Sequence, residues 1–278
     1  MGQEFVKPIG DILKSIRSKK PLIHHITNYV TVNDCANITL AIGASPIMAD
    51  DIGEAAAITS ISSALVLNIG TLNERTISSM LAAGKKANEM RIPVVFDPVG
   101  AGASELRNRT AERILHEVKI SVLRGNLSEI RFIAGLGSTT KGVDASDTDM
   151  CRGLESGCSI AETAAKKYGC VVAATGATDI LADKRRTLLL DNGTKLLSNV
   201  TGTGCMCTSL VGAFCGASED YLLAAAGGVL CMGIAGEIAA EKAGETGSGS
   251  FHMALIDAVS KMTAATIEGK AKIRETKN

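Results

Sequence analysis

Short apolar runs rich in β-branched residues alternate along this chain with stretches in which apolar side chains recur at helical spacing. KPLIHHIT (20 to 27), ASPIMA (44 to 49), SALVLNIG (63 to 70), IPVVFD (92 to 97), KISVLRG (119 to 125) and GCVVAATG (169 to 176) read as strands. Thr71 to Met90 and Ser104 to Val118 carry the amphipathic period of a helix. Strands apolar on both faces, separated by helix-length segments, predict a parallel sheet covered on both sides. After Thr178 the pattern changes: DILADKRRTLLLDNGTKLLSN reads as two strands joined by tight turns, an antiparallel extension. From Gly204 onward almost everything reads as helix.

No Pro-rich or Ser-rich linker and no internal repeat divides the chain, so residues 1–278 are expected to form a single α/β domain. The core has to be built from small and aliphatic residues: hydrophobic residues make up 46% of the chain, aromatics only 3%, and tryptophan is absent. Tyr221 to Gly236 is charge-free, yet shorter than the roughly 20 residues of a spanning helix, and it is rich in Ala and Gly. It is expected to be a buried helix whose small-residue face lets neighbours approach. The N-terminal segment mixes charges with helically spaced apolar residues and does not read as a secretory leader.

Charge points to no partner: 29 basic and 29 acidic side chains cancel, which suggests neither nucleic acid nor a membrane surface. Eight cysteines are scattered without a CxxC pair, as expected of a reduced, cytoplasmic chain with mostly buried thiols.

In an open parallel sheet, ligands bind beyond the carboxyl ends of the strands, and four such ends carry polar groups here. In VVFDPVGAGAS, Asp97 ends a strand, Gly100 and Gly102 let the backbone approach a ligand, and Ser104 can cap the next helix. In LRGNLSEI, Arg124 stands at the strand exit, where a guanidinium suits phosphate oxygens, and Glu129 lies three residues beyond a helix start at Asn126. Asp97 and Glu129 together suit magnesium, which takes one or two carboxylates and completes its shell with water and phosphate. Taken singly, Asp97 reads more readily as a turn residue, and Glu129 equally as a solvated residue on a capped helix. In AATGATD, Thr175 closes a strand, where its hydroxyl either meets a phosphate or belongs to an ordinary turn.

The fourth end is SNVTGTGCMCTSLVGAF, 198 to 214. Gly202, Thr203 and Gly204 precede a predicted helix, and a helix start offers unpaired N–H groups and positive potential to an anion. The stretch lacks the Lys-Ser/Thr of a phosphate-binding P-loop and the third glycine of a dinucleotide fingerprint. Residues two apart on a helix point about 200° apart, so Cys205 and Cys207 cannot share a metal if both are helical. A thiol in the first turn is activated by the helix end, which makes Cys205 the candidate working group and Cys207 packing, although Cys205 taken alone also fits a small buried hydrophobe. Met48, at a strand end, fits either the core or an apolar pocket. His24, His25, His116 and His252 lack ligand spacing and read as surface or satisfied core residues.

HHITNYVTVNDCAN (24 to 37), GASPIMAD (43 to 50), VLNIGTL (66 to 72), FDPVGAGAS (96 to 104), RGNLSEI (124 to 130), KGVD (141 to 144) and NVTGTGC (199 to 205) occur in this order over nearly the whole chain. The ordered set resembles the hydroxyethylthiazole kinase family of the ribokinase-like superfamily. The resemblance implies a ribokinase-like fold and transfer of the ATP γ-phosphoryl group to 4-methyl-5-(2-hydroxyethyl)thiazole, a thiamine salvage step. It also implies a homotrimer with active sites at subunit interfaces. By the same resemblance, Arg124 and Thr175 contact ATP; Met48, Gly202 and Asn28 contact the thiazole; Asp97 and Glu129 attend Mg2+. Gly202, Thr203 and Gly204 then form the anion hole, and Cys205 stands where most ribokinase-like enzymes carry an aspartate base. His25 is one departure from the family pattern.

Three other readings stay open. A hydroxymethylpyrimidine kinase of the same superfamily is disfavoured by GTGC in place of GxGD. An ATP-dependent dehydratase of nicotinamide-nucleotide hydrates shares the fold. A thiol-based metal or redox protein would use Cys205 and Cys207.

Overall fold

The computed structural model describes residues 3–137 and 147–276; the KGVD motif, 141–144, lies outside the described residues. The chain opens with helix α1 (Gln3–Lys19), strand β1 (Leu22–Ile26), α2 (Val32–Ile42), β2 (Ser45–Met48), α3 (Ala55–Ser60) and β3 (Ala64–Asn68). There follow α4 (Glu74–Glu89), β4 (Val94–Asp97), α5 (Glu105–Glu117), β5 (Val122–Asn126), α6 (Leu127–Ala134), α7 (Asp147–Tyr168) and β6 (Val171–Thr175). The hairpin β7 (Asp179–Ala182) and β8 (Thr187–Leu190) leads to α8 (Thr203–Cys215), α9 (Tyr221–Ala243), α10 (Ser248–Ser260), α11 (Ala264–Lys270) and β9 (Ile273–Glu275).

The nine strands among the described residues join one sheet in the order β2-β1-β3-β4-β5-β6-β7-β8-β9. The first six are parallel, with His25 opposite Met48, Asn68 opposite Asp97 and Asn126 opposite Thr175. The last three run antiparallel, as the change of pattern after Thr178 predicts. Each predicted strand forms in its expected run, with β5 reaching one residue beyond it to Asn126. The one strand the pattern misses is β9, three residues against β8, too short to carry a period. Long-range bonds hold it: Lys272 N–H donates to Asn192 Oδ1 at 2.7 Å and Thr276 N–H to Thr187 O at 2.9 Å. Lys195–Asn199, part of the expected two-strand segment, is a 3-10 turn instead.

The sheet separates two cores. Ile23, Val66, Val95 and Val122 face α1, α2 and α8 to α11, while Leu65, Leu67 and Phe96 face α3 to α7. The predicted apolar helix runs on past Gly236 to Ala243 as α9, mostly buried inside the protein rather than on its surface. Its small residues have the anticipated effect: a Cβ on Gly228 would stand 2.5 Å from the Val211 backbone nitrogen, so only glycine lets α9 lie this close to α8. On the other side of α8, a Cβ on Gly212 would stand 2.5 Å from Val66 Cγ2. Helix α8 is thus wedged between sheet and α9, and Met206 to Cys215 are all buried.

Candidate active site

The parallel strands end along one edge of the sheet, and that edge gathers the polar residues the sequence singles out. Asp97 closes β4, Arg124 lies in β5, Thr175 closes β6, and Asn28 follows β1. The wedged helix α8 starts above them.

Helix α8 begins at Thr203, earlier than the sequence suggests, with Gly202 as its N-cap at φ 88. Cys205 is therefore the third helical residue. The first intrahelical bond runs from Met206 N–H to Gly202 O at 2.8 Å, so the N–H groups of Thr203, Gly204 and Cys205 lie ahead of the helical ladder. Thr203 offers an anion its backbone only, because its hydroxyl donates back to Leu197 O at 2.9 Å. Gly204 admits the neighbouring guanidinium: a Cβ there would lie 2.9 Å from Arg124 Nη1. Gly202 packs on Thr31, whose Cγ2 would be 2.6 Å from an added Cβ.

Asp97, 1% exposed, is the hub. Its Oδ2 accepts from Thr208 Oγ1 at 2.6 Å and Asn68 Nδ2 at 3.1 Å, with Arg124 Nη1 at 3.5 Å. Its Oδ1 has no partner among the described residues. Burial pushes this carboxyl up to about 6; Arg124 opposes the shift and Glu129 adds to it. Arg124 Nη2 donates to Thr175 Oγ1 at 2.7 Å, and the Thr175 hydroxyl in turn donates to Gly125 O at 3.3 Å. Glu129 is held by local geometry. Asn126 and Glu129 form a reciprocal capping box at the start of α6, as their spacing predicts. Its Oε2 accepts the Asn126 N–H and its Oε1 the Gly100 N–H, each at 2.8 Å. Ser104 caps α5, as anticipated.

These carboxylates fit a magnesium ion. Asp97 offers a buried oxygen without a partner, and Glu129 is close enough to raise its proton affinity. Among the described residues no three His, Cys, Asp or Glu side chains cluster as a full metal cage. Two carboxylates with the rest left to water and phosphate is the arrangement magnesium prefers.

Cys205 is half-buried and its Sγ accepts from two amides, Asn28 Nδ2 and Asn68 Nδ2, each at 3.3 Å. Asn68 is the site residue that residue-by-residue reading misses; its one sequence signal is its place at the end of VLN. Cys207 is buried, its thiol pushed up to about 12 by burial, with Arg124 alongside. The segment carrying both cysteines is helical, so the condition that separates them is met.

Met48 lies beside this cluster rather than in it. It lines a cavity of about 240 Å³ together with His25, Thr27, Tyr29, Val32 and Arg75. Asn28, between Thr27 and Tyr29, links that cavity to Cys205. The histidines differ from one another. His24 is a satisfied core residue, with Nε2 on Ala49 O at 2.7 Å and Nδ1 on Thr59 Oγ1 at 2.9 Å. His25, expected to be surface or satisfied core, is neither: its Nδ1 meets Ile23 O at 3.1 Å, but its buried Nε2 has no partner among the described residues. It stands beside the cavity because its strand register places it opposite Met48. His116 is exposed. His252 lies 3.2 Å from Asp34 Oδ1 without an aligned hydrogen bond, so it too departs from the expected surface or satisfied role.

A mainly parallel sheet with helices on both faces, an antiparallel extension, and a helix start over strand-end carboxylates define a ribokinase-like fold. Pyridoxal kinase from Staphylococcus aureus, solved with AMP-PCP and pyridoxal, shares it at a TM-score of 0.58 and 14% identity, over 79% of this chain and 88% of that one. The chain belongs to the hydroxyethylthiazole kinase family, whose profile matches residues 13–265. It is 67% identical over 275 residues to hydroxyethylthiazole kinase of Clostridium beijerinckii, covering 99% of this chain and 100% of the relative. The match to the enzyme of the same name from Ruminiclostridium cellulolyticum is 63% over 272 residues, 98% of this chain and 99% of that one. The solved hydroxyethylthiazole kinase protein from Pyrococcus horikoshii superposes with a TM-score of 0.88 at 39% identity, over 98% of this chain and all of that one.

Proposed function

We propose that this protein transfers the γ-phosphoryl group of ATP to the hydroxyl of 4-methyl-5-(2-hydroxyethyl)thiazole. The observation that carries this reading is the half-buried Cys205 thiol in the first turn of α8, among free helix N–H groups and beside Arg124 and Asp97. The alcohol oxygen forms a bond to the γ-phosphorus as the bond to the β,γ-bridging oxygen breaks, ADP leaves, and the alcohol proton passes to Cys205 in its thiolate form, giving the thiol, which returns the proton to water. The transition state of such transfers is loose, so positioning and charge neutralisation supply most of the rate. The N–H groups of Thr203, Gly204 and Cys205 meet charge developing on the transferring group, the kind of donor whose removal costs about 10²- to 10³-fold in turnover. Arg124 and Thr175 hold the nucleotide phosphates, while Met48, Gly202 and Asn28 seat the thiazole. Asp97 and Glu129 hold Mg2+, which when bound neutralises phosphate charge.

The active unit is a trimer with sites shared between subunits. The reading is supported by the exposure of Tyr29, 77%, which lines the Met48 cavity, and of Ile52, 52%, just beyond the edge strand β2, two apolar surfaces that a second copy would cover. Light scattering of the purified protein checks the stoichiometry. The enzyme works in the reducing cytoplasm, a reading supported by seven free cysteines among the described residues.

ADP release followed by a coupled assay, with Mg-ATP and each alcohol offered separately, tests the function. The expected result is turnover with the thiazole alcohol and none with a hydroxymethylpyrimidine or a hydrated nicotinamide nucleotide. Folded protein without thiazole-dependent turnover would sink the reading.

A further inference from the structure

The kinase mechanism leaves Asn68, at the end of β3, without a part to play. Its amide orientation is nonetheless fixed. The Gly70 backbone N–H lies 2.9 Å from Asn68 Oδ1, and since a backbone N–H only donates, that atom has to be the oxygen. Nδ2 then faces Asp97 Oδ2 at 3.1 Å and Cys205 Sγ at 3.3 Å. The Thr31 N–H locks Asn28 in the same way, at 3.2 Å from Asn28 Oδ1. Asn28 Nδ2 is left to donate to Asn68 Oδ1 at 3.0 Å and to Cys205 Sγ at 3.3 Å. A primary amide carries two N–H donors. In both residues one serves the neighbouring polar group and the other serves the sulfur. Little slack remains, because a Cβ on Gly70 would stand 2.8 Å from Asn28 Nδ2.

We infer that Asn68 is a positioning residue of the phosphoryl transfer: its locked amide ties Asp97 to Cys205 and, with Asn28, fixes the direction in which the sulfur meets the acceptor hydroxyl. The sulfur acts as a thiolate, and two of its three lone pairs are taken by the amides. The third is left for the alcohol, whose proton the thiolate receives to become the thiol; the amide protons stay on nitrogen throughout. The hydroxyl as occupant rests on the kinase reading above, whereas the amide clamp stands on its own distances. Asn68 also joins the two sides of the site, since the carboxylate it holds is the one beside Arg124.

Asn68→Asp is nearly isosteric, keeps an acceptor for Gly70 and Asn28, and turns an oxygen toward Asp97 and the sulfur. Its kcat is expected to fall about 10²-fold, the scale of losing one preorganised donor, with KM for ATP and the thiazole alcohol within about threefold of wild type. A rise in KM with unchanged kcat would overturn the inference. Asn68→Ala provides a double-mutant cycle: it should cost about 10-fold or more in the wild-type background and no more than about twofold in Cys205→Ala, where no sulfur is left to hold. Equal costs in both backgrounds would mark a purely structural role and defeat the proposal. A third readout is independent of turnover. Iodoacetamide labelling, resolved by peptide mass spectrometry, should slow at least about threefold at Cys205 in Asn68→Asp, because the sulfur then faces an oxygen where a donor stood. Labelling of the half-buried Cys158 on α7 should be unchanged and serves as the reference. Unchanged labelling at Cys205 would overturn the clamp. Slowed labelling in a protein whose wild type shows no thiazole turnover would support the clamp and sink the kinase reading instead.

Discussion

The two sides of the site are held by different means. On the side of β5 and β6, Glu129 is placed chiefly by a capping box spanning the four residues Asn126 to Glu129, with one further bond from the Gly100 N–H, and Arg124 by strand β5 and Thr175 on the adjacent β6. On the side of β1, β3 and α8, Cys205 is placed by amides from Asn28 and Asn68, 177 and 137 residues away along the chain. Asp97 stands between them and draws on Thr208, 111 residues distant. Local devices tolerate change elsewhere in the molecule, whereas a long-range network depends on every element that brings it together. Substitutions on the first side should therefore act at one point, and those on the second should couple.

The largest effect is expected at Glu129. Glu129→Ala leaves the Gly100 and Asn126 N–H groups without their acceptor. It should cost roughly 2 to 4 kcal/mol of stability, read by urea unfolding, and at least about 10³-fold in kcat/KM by steady-state kinetics. A mild loss on both measures would show that the local device is dispensable.

Next is acid stability on the cavity side. Burial pushes the His25 imidazole down to about 4 and also lowers His24. A base whose folded-state pKa is depressed contributes stability that is complete above its unfolded value near 6.5 and is lost as pH falls through the folded one. For His25 this amounts to roughly 3 kcal/mol between pH 6.5 and 4. In thermal melts of the ligand-free protein, His25→Gln should flatten the stability curve in that window while leaving its shape above pH 7 unaltered. An unchanged slope between pH 6.5 and 4 would refute the assignment.

Arg124→Lys should raise the KM for ATP by about 10- to 10²-fold, because a lysine cannot reach Asp97 and Thr175 together as the planar fork does. Near-normal ATP binding by titration calorimetry would remove Arg124 from the nucleotide side. The smallest change is expected for Cys205→Asp, which should retain or raise activity, since a carboxylate accepts the same two amide N–H groups and can take the same proton. If this variant folds and binds both substrates yet is inactive, the sulfur is not the base.

The same division decides what could be read from the sequence. The alternating pattern predicts the six parallel strands and the antiparallel turn-back, and the spacing of Asn126 and Glu129 predicts the cap that forms. Asp97, Arg124 and Thr175 are legible as polar residues at strand ends, because a parallel sheet brings all such ends to one edge. Asn68 occupies an equally terminal position, but its importance lies in what Gly70 and Cys205 do to its amide, and no local signal reports that. The cavity beside His25 and the three-residue β9 depend likewise on register across the sheet.

The wedging of α8 between Gly228 and Val66 has a consequence for motion. A helix that touches backbone on one side and a core strand on the other has no room to slide toward a ligand, and its first turn moves only if the core repacks. The phosphate seat is then the fixed reference of the reaction.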